Sequence, residues 1–120
     1  MIILVTGGRD YHDHEKVSAV LSALHKANPI QIVIHGGATG ADSLAAIWAM
    51  TQGIHAASVP ALWNVYGNRA GPLRNGAMLL LKPELLVAFP GGRGTANMVI
   101  QAREAALRVV MVDNSDLVGL

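Results

Sequence analysis

Short apolar runs alternate with longer stretches whose apolar residues recur at helical spacing. Ile2-Ile3-Leu4-Val5 opens the pattern, a continuous run rich in β-branched residues, as buried parallel strands are. Asp13 then reads as a helix N-cap before Val17, Val20, Leu21 and Leu24, and Asn28-Pro29 stops that helix. Ile30 to Ile34 predicts the second strand. Asp42 to Gln52 predicts the second helix, burying Leu44, Ala45, Ile47 and Trp48 before Gly53 ends it. Ile54 to Val59 reads as a third strand. Residues Pro60 to Gly71 read as irregular, with Leu73 to Leu81 as a third helix stopped by Lys82-Pro83. Leu85 to Phe89 is the fourth strand, Met98 to Leu107 lies in a fourth helix, and Leu107 to Val112 is the fifth strand. A last helical turn is expected over Asn114 to Leu120.

This β-α-β-α-β-α-β-α-β alternation predicts an α/β fold. It is a Rossmann-like three-layer sandwich whose mostly parallel five-stranded sheet has helices on both faces. With 120 residues, a single domain over 1–120 is expected. Hydrophobic residues make up 52% and charged ones 14%, which excludes a disordered chain. That balance also leads us to expect apolar surface hidden in a homo-oligomer, a dimer or higher. A net charge of +1 supplies no basic field, so nucleic acid is not the expected partner. Cysteine is absent, so there is no disulfide or thiolate chemistry. The N-terminus has no signal-peptide pattern and no run reaches ~20 apolar residues, so the expected location is the cytoplasm, with no membrane partner.

The unusual residues follow the strands. Gly-Gly pairs occur at Gly7-Gly8, Gly36-Gly37 and Gly91-Gly92. In a parallel sheet these three turns share the carboxyl edge, where open α/β sheets bind ligands. Pro90-Gly91-Gly92-Arg93-Gly94-Thr95 stands between a strand and a helix. Strand, glycine turn and helix together present backbone N–H groups and a positive helix end to an anion. Arg9, Arg69, Arg74 and Arg93 fall in or near these turns, and the arginine fork suits phosphate. Asp10 and Asp42 are the carboxylates near the edge; Asp42 reads equally well as an N-cap. His35 closes the second strand, as a packed residue or a hydrogen-bond donor to ligand rather than as a general base. Trp63 and Tyr66 suit base stacking, an interface or the core. His12 and His14 flank Asp13, too little geometry for a metal site, and no metal or cofactor is expected.

The turn at His35 to Asp42 lacks the lysine of a P-loop, which argues against ATP or GTP hydrolysis. Gly92 to Asn97 differs from the dinucleotide fingerprint by Asn97 in place of its third glycine, with Asp113 placed to meet a ribose. A dinucleotide therefore stays among the ligands.

Four linked motifs carry a resemblance. They are Thr6-Gly7-Gly8-Arg9, His35-Gly36-Gly37-Ala38-Thr39-Gly40-Ala41-Asp42, Ala70-Gly71-Pro72-Leu73-Arg74-Asn75 and Phe89-Pro90-Gly91-Gly92-Arg93-Gly94-Thr95-Ala96. Together they resemble the SLOG superfamily of DNA-processing SMF/DprA proteins and LOG phosphoribohydrolases, and within it the YspA-like, YpsA-related branch. The resemblance implies a nucleotide-derived ligand at the carboxyl edge, frequent homo-oligomers and kinship with ligand sensors of defence systems. It also implies Gly7, Gly8, Arg9, His35, Gly36, Gly37, Asp42, Arg74, Asn75, Pro90, Gly91, Gly92, Arg93, Gly94 and Thr95 as ligand-binding residues. The phosphoribohydrolases cleave the N-glycosidic bond of nucleoside monophosphates with a glutamate three residues after the threonine, aided by an arginine. Here Met98 stands at the glutamate's place and Arg74 at the arginine's. Methionine can neither carry a proton nor stabilise an oxocarbenium ion. The expectation is a binding protein that senses, carries or sequesters its nucleotide. The alternative is a hydrolase using Arg74 with Asp42 or Asp10 as substitute acid.

Overall fold

The computed structural model describes residues 1–113, so the helical turn expected over Asn114 to Leu120 lies outside the described residues. Five strands form one parallel sheet: β1 (Ile2–Thr6), β2 (Ile32–His35), β3 (His55–Ser58), β4 (Leu85–Ala88) and β5 (Val109–Met111). Their spatial order is β3-β2-β1-β4-β5. Ile3 lies beside Leu85 and Thr6 beside Ala88, while Leu4 pairs with Ile34. The chain therefore steps outward from β1 to β3, then crosses back to lay β4 on the other side of β1. The order reverses between β1 and β4, and that switch point opens a crevice beyond their carboxyl ends.

Helices α1 (His14–Ala27) and α2 (Ala41–Thr51) cover one face; α4 (Ala70–Leu79) and α5 (Arg93–Glu104) cover the other. Because side chains alternate along a strand, each strand feeds both layers. Ile3, Val5, Val33 and Val87 pack with Val17, Leu21, Ala45 and Trp48. Leu4, Ile34, Leu86 and Ala88 pack with Met78, Met98 and Val99. Burial on both faces is why the strands read as unbroken apolar runs.

Asp13 caps α1, its carboxylate accepting from the Lys16 N–H at 3.0 Å. Gly53, after α2, has φ +69°. Two expectations need correction. Ile47 is 57% exposed, and α2 buries Ala41 and Ala49 instead, because the buried stripe passes through positions 41, 45, 48 and 49. The segment from Pro60 to Gly71 is not irregular throughout. It contains a helical turn α3 (Trp63–Tyr66) and a 3-10 turn (Gly67–Arg69) that leads directly into α4. Helix α4 thus starts before Gly71-Pro72. Pro72 falls in its first turn, where a backbone N–H has no helical partner to lose.

Candidate functional site

A hollow of about 560 Å³ lies over the switch point. The turn after β1 supplies Gly7, Gly8, Arg9 and Asp10; the turn after β4 and the start of α5 supply Gly91 to Thr95. Asp42 from α2, Arg74 from α4 and Trp63 from α3 complete the wall. The structure thus brings together these twelve residues, all singled out in the sequence. A second hollow of about 290 Å³ adjoins it, between Gly36-Gly37 and Pro60-Ala61; Arg9, Trp63 and Arg74 line both.

The turns after β1 and β4 are stitched edge to edge. The Gly8 N–H donates to the Pro90 carbonyl at 2.8 Å, and the Phe89 N–H to the Thr6 carbonyl at 2.9 Å. A Cβ on Gly91 would strike the Thr95 hydroxyl and the Gly8 nitrogen, so only glycine permits this approach. Gly92 caps α5 without a side-chain acceptor. The N–H groups of Arg93, Gly94 and Thr95 therefore open the helix with no intrahelical partner, at its positive end. Thr95 is buried beneath the turn, and Arg93 is exposed on its rim.

The turn after β2 is tied down from within. The Asp42 carboxylate accepts from the Gly36 N–H at 3.0 Å and from the Ala38 N–H at 3.2 Å. Asp42 is thus not the N-cap of α2, a place held by Gly40, but the clasp of the preceding loop. Gly40 has φ +78° and would drive a Cβ into the Gly8 and Arg9 carbonyl oxygens; the Ala41 N–H donates to the Gly8 carbonyl at 3.1 Å. Sequence reasoning gave Gly40 no role of its own. Its signal was a lone glycine directly before a helix.

His35 is buried and accepts the Gly37 N–H on Nδ1 at 3.0 Å, which requires a neutral imidazole protonated on Nε2. Burial lowers its pKa, opposed by the nearby Asp42 charge. Burial raises the Asp42 pKa, opposed by the Ala38 and Gly36 N–H groups, by electrostatic coupling to His35 and by the Arg74 charge. Arg74 donates from Nη1 to the Gly36 carbonyl at 2.8 Å and from Nε to the Asn75 side-chain oxygen at 3.0 Å. Burial lowers its pKa, Asp42 pulls it up and Arg9 pushes it down.

Asn75 does not face the hollow. It is buried between α4 and α5, donating to the Gly94 carbonyl at 3.2 Å and to Asn97 Oδ1 at 3.1 Å; Asn97 Oδ1 also accepts from Gln101 at 2.7 Å. His35, Asn75 and Pro90 thus support the walls, and Gly36 and Gly37 line the second hollow. Arg69 and Tyr66 line neither hollow. Trp63 lines both, with the Arg9 guanidinium 5.6 Å from its ring centroid. Met98, at the position where the resembled hydrolases carry glutamate, is fully buried in the α4–α5 layer.

The sequence profile of the YspA, cpYpsA-related SLOG family matches residues 1–66. The Gene 61 protein of Mycobacterium phage D29 is 34% identical over 120 residues, covering 90% of this chain and 93% of that protein. Among solved structures, DNA processing protein A (DprA) from Streptococcus pneumoniae superposes with a TM-score of 0.73 over 91% of this chain at 18% identity. The match spans about half of DprA, 49% of its chain, and concerns the fold alone. No helix among the described residues is long and apolar enough to cross a membrane. On the strength of the profile and the phage relative, the chain belongs to the YspA, cpYpsA-related SLOG family.

Proposed function

We propose that the protein binds a nucleotide or nucleotide-derived ligand, of ADP-ribose-like or cyclic type, at the carboxyl edge of the sheet, as a sensor, carrier or sequestering protein. The ligand's phosphate sits on the N–H groups that open α5, with Arg93 at the rim. Trp63 offers its ring to a base, and Arg9 and Arg74 meet further charge.

Met98 carries the preference for binding over cleavage. A hydrolase of the resembled type needs a carboxylate one turn into α5. At that position the side chain is sealed in the core against Leu4, Ile34 and Met78. Asp42 is no free substitute, because its Oδ2 holds the preceding loop through two backbone N–H groups. The second reading, an N-glycosidic hydrolase, rests on Asp10, an exposed carboxylate on the wall of the hollow.

The test is to incubate the protein with AMP, ADP and ADP-ribose, following thermal stability and free base together. Binding at 100 times the dissociation constant adds about 2.7 kcal/mol and raises Tm by roughly 10 °C. That shift without base release is the expected result. Base release abolished by Asp10→Ala would replace the binding reading with the hydrolase.

A further inference from the structure

We infer that the ligand carries two anionic groups, the second of them held between Arg9 and Arg74 where the two hollows meet. This rests on the reading of the α5 turn as the site of the first.

The α5 turn and Arg93 account for one phosphate in the larger hollow. They leave Arg9 and Arg74 unmatched. Both side chains line both hollows, so they stand at the junction. Among the described residues neither forms an ion pair with a carboxylate. Asp42 attracts Arg74, but its Oδ2 accepts from the Gly36 and Ala38 N–H groups and it forms no ion pair with Arg74. Each guanidinium has a partner that orients it. Arg9 lies over Trp63, and Arg74 uses two of its five N–H donors on Gly36 and Asn75, keeping the others for a ligand. The two charges are close enough that Arg9 depresses the pKa of Arg74. Two neighbouring cations that line one junction are relieved by an anion placed between them.

The smaller hollow continues past this pair, walled by Gly36, Gly37, Pro60 and Ala61. Nothing ionisable is contributed by those four, so it suits a neutral group attached beyond the second phosphate. The ligand class that follows is a diphosphate ester, such as a nucleoside diphosphate carrying a further sugar. A nucleoside monophosphate would leave the Arg9–Arg74 pair and the second hollow unused. The walled, two-part shape and the net charge of +1 disfavour a polynucleotide, whose recognition draws on a spread of basic contacts.

The experiment is isothermal titration at low salt with AMP, ADP, ADP-ribose, inorganic phosphate, inorganic pyrophosphate and a short oligodeoxythymidylate. It uses the wild type and Arg9→Gln, a substitution at an exposed position outside the core. The expected result is that ADP and ADP-ribose bind about tenfold or more tightly than AMP. Arg9→Gln should weaken ADP and ADP-ribose about tenfold more than it weakens AMP, and so erase that difference. Arg74→Lys, which keeps the charge and loses the fork, should reduce the preference in the same direction. Pyrophosphate matching ADP, with phosphate much weaker, would support the two-anion site and assign it to the free inorganic ion. Equal binding of AMP and ADP, or equal weakening of both by Arg9→Gln, would overturn the second subsite while the α5 turn stands. No binding of any probe would overturn both. Oligonucleotide binding tighter than ADP would overturn the diphosphate in favour of DNA.

Discussion

Across the crevice two glycine turns face each other, one held shut and the other left open. After β2, the backbone of Gly36, Gly37 and Ala38 is already spoken for. Asp42 takes two of its N–H groups, His35 a third, and Arg74 the Gly36 carbonyl. After β4, the N–H groups that open α5 have no side-chain cap. One turn spends its hydrogen bonds on the protein, and the other keeps them for an anion. The same residue type serves both, for different reasons. Glycine at 40 is demanded by neighbouring backbone, whereas glycine at 94 has nothing within 4 Å of where a Cβ would stand. If that contrast is right, substitutions at Gly40 and Asp42 cost stability and those at Gly94 cost binding.

Gly40→Val should produce the largest effect. A β-branched residue at φ +78° pays for the left-handed backbone, about 1–3 kcal/mol, before any clash. Its Cβ also meets the Gly8 and Arg9 carbonyl oxygens, which cannot swing aside as a side chain would. The expected loss is about 3 kcal/mol or more in urea unfolding, or failure to accumulate as folded protein. Wild-type stability in this variant would mean that the β2 turn is not held against the β1 turn as described.

Asp42→Ala comes next. It strands the Gly36 and Ala38 N–H groups and should cost about 1–3 kcal/mol. Asp42→Asn keeps an acceptor without the buried charge and should cost less. The pH dependence separates the two roles. Burial raises the folded pKa of Asp42 above its ordinary 3.8, so the folded state binds this proton more tightly than the unfolded chain. That contribution is complete below about 3.9 and is lost as pH rises through the raised folded value. Wild-type stability relative to Asp42→Asn should therefore fall as pH rises through that window. His35 runs the other way. Its folded pKa is lowered, so its contribution is present above about 6.5 and lost as pH falls through the folded value. Since Asp42 is what pulls the His35 pKa up, Asp42→Asn should lower it further, read by NMR titration of the His35 ring. An unchanged His35 titration would break the coupling between these two groups.

The layers were legible because both faces of the sheet are covered. Burial on both sides writes an unbroken apolar run, and a run such as Leu85 to Phe89 has few other readings. The convergence of three glycine turns was legible for the same reason, since parallel strands must present them on one edge. What the sequence hid was direction. Asn75 reads like a partner for ligand beside Arg74, but adjacent helix positions point about 100° apart, and only one of the two reaches the hollow. Asp42 reads as an N-cap because a carboxylate at a helix start usually serves its own helix. Here the loop folds back over that end and takes the carboxylate instead. Gly71-Pro72 reads as a break, yet a proline in the first turn loses no hydrogen bond, so local chemistry allows both outcomes. Ile47 failed as a core residue because an 11-residue helix with apolar residues nearly all round leaves the choice of buried stripe to its neighbours.

Gly94→Ala is the mildest change and the sharpest for the contrast between the turns. Position 94 lies in the first turn of α5 with helical neighbours on its C-terminal side and open space around the missing Cβ. In the free protein, alanine there should stabilise by about 0.5–1 kcal/mol, because glycine gives up more backbone freedom on folding. The same methyl group would project from the wall of the hollow that Gly91, Gly92 and Thr95 share. An anion resting on the N–H groups of this turn would meet it, so affinity for a phosphate ligand should fall, by about tenfold if the ligand is displaced enough to lose one charge-assisted hydrogen bond. A higher Tm together with weaker ADP binding, measured on one preparation, is the expected pair of results. A higher Tm with unchanged ADP binding would place the phosphate elsewhere in the hollow, and a lower Tm would mean that this turn, like the one after β2, is closed by its own packing.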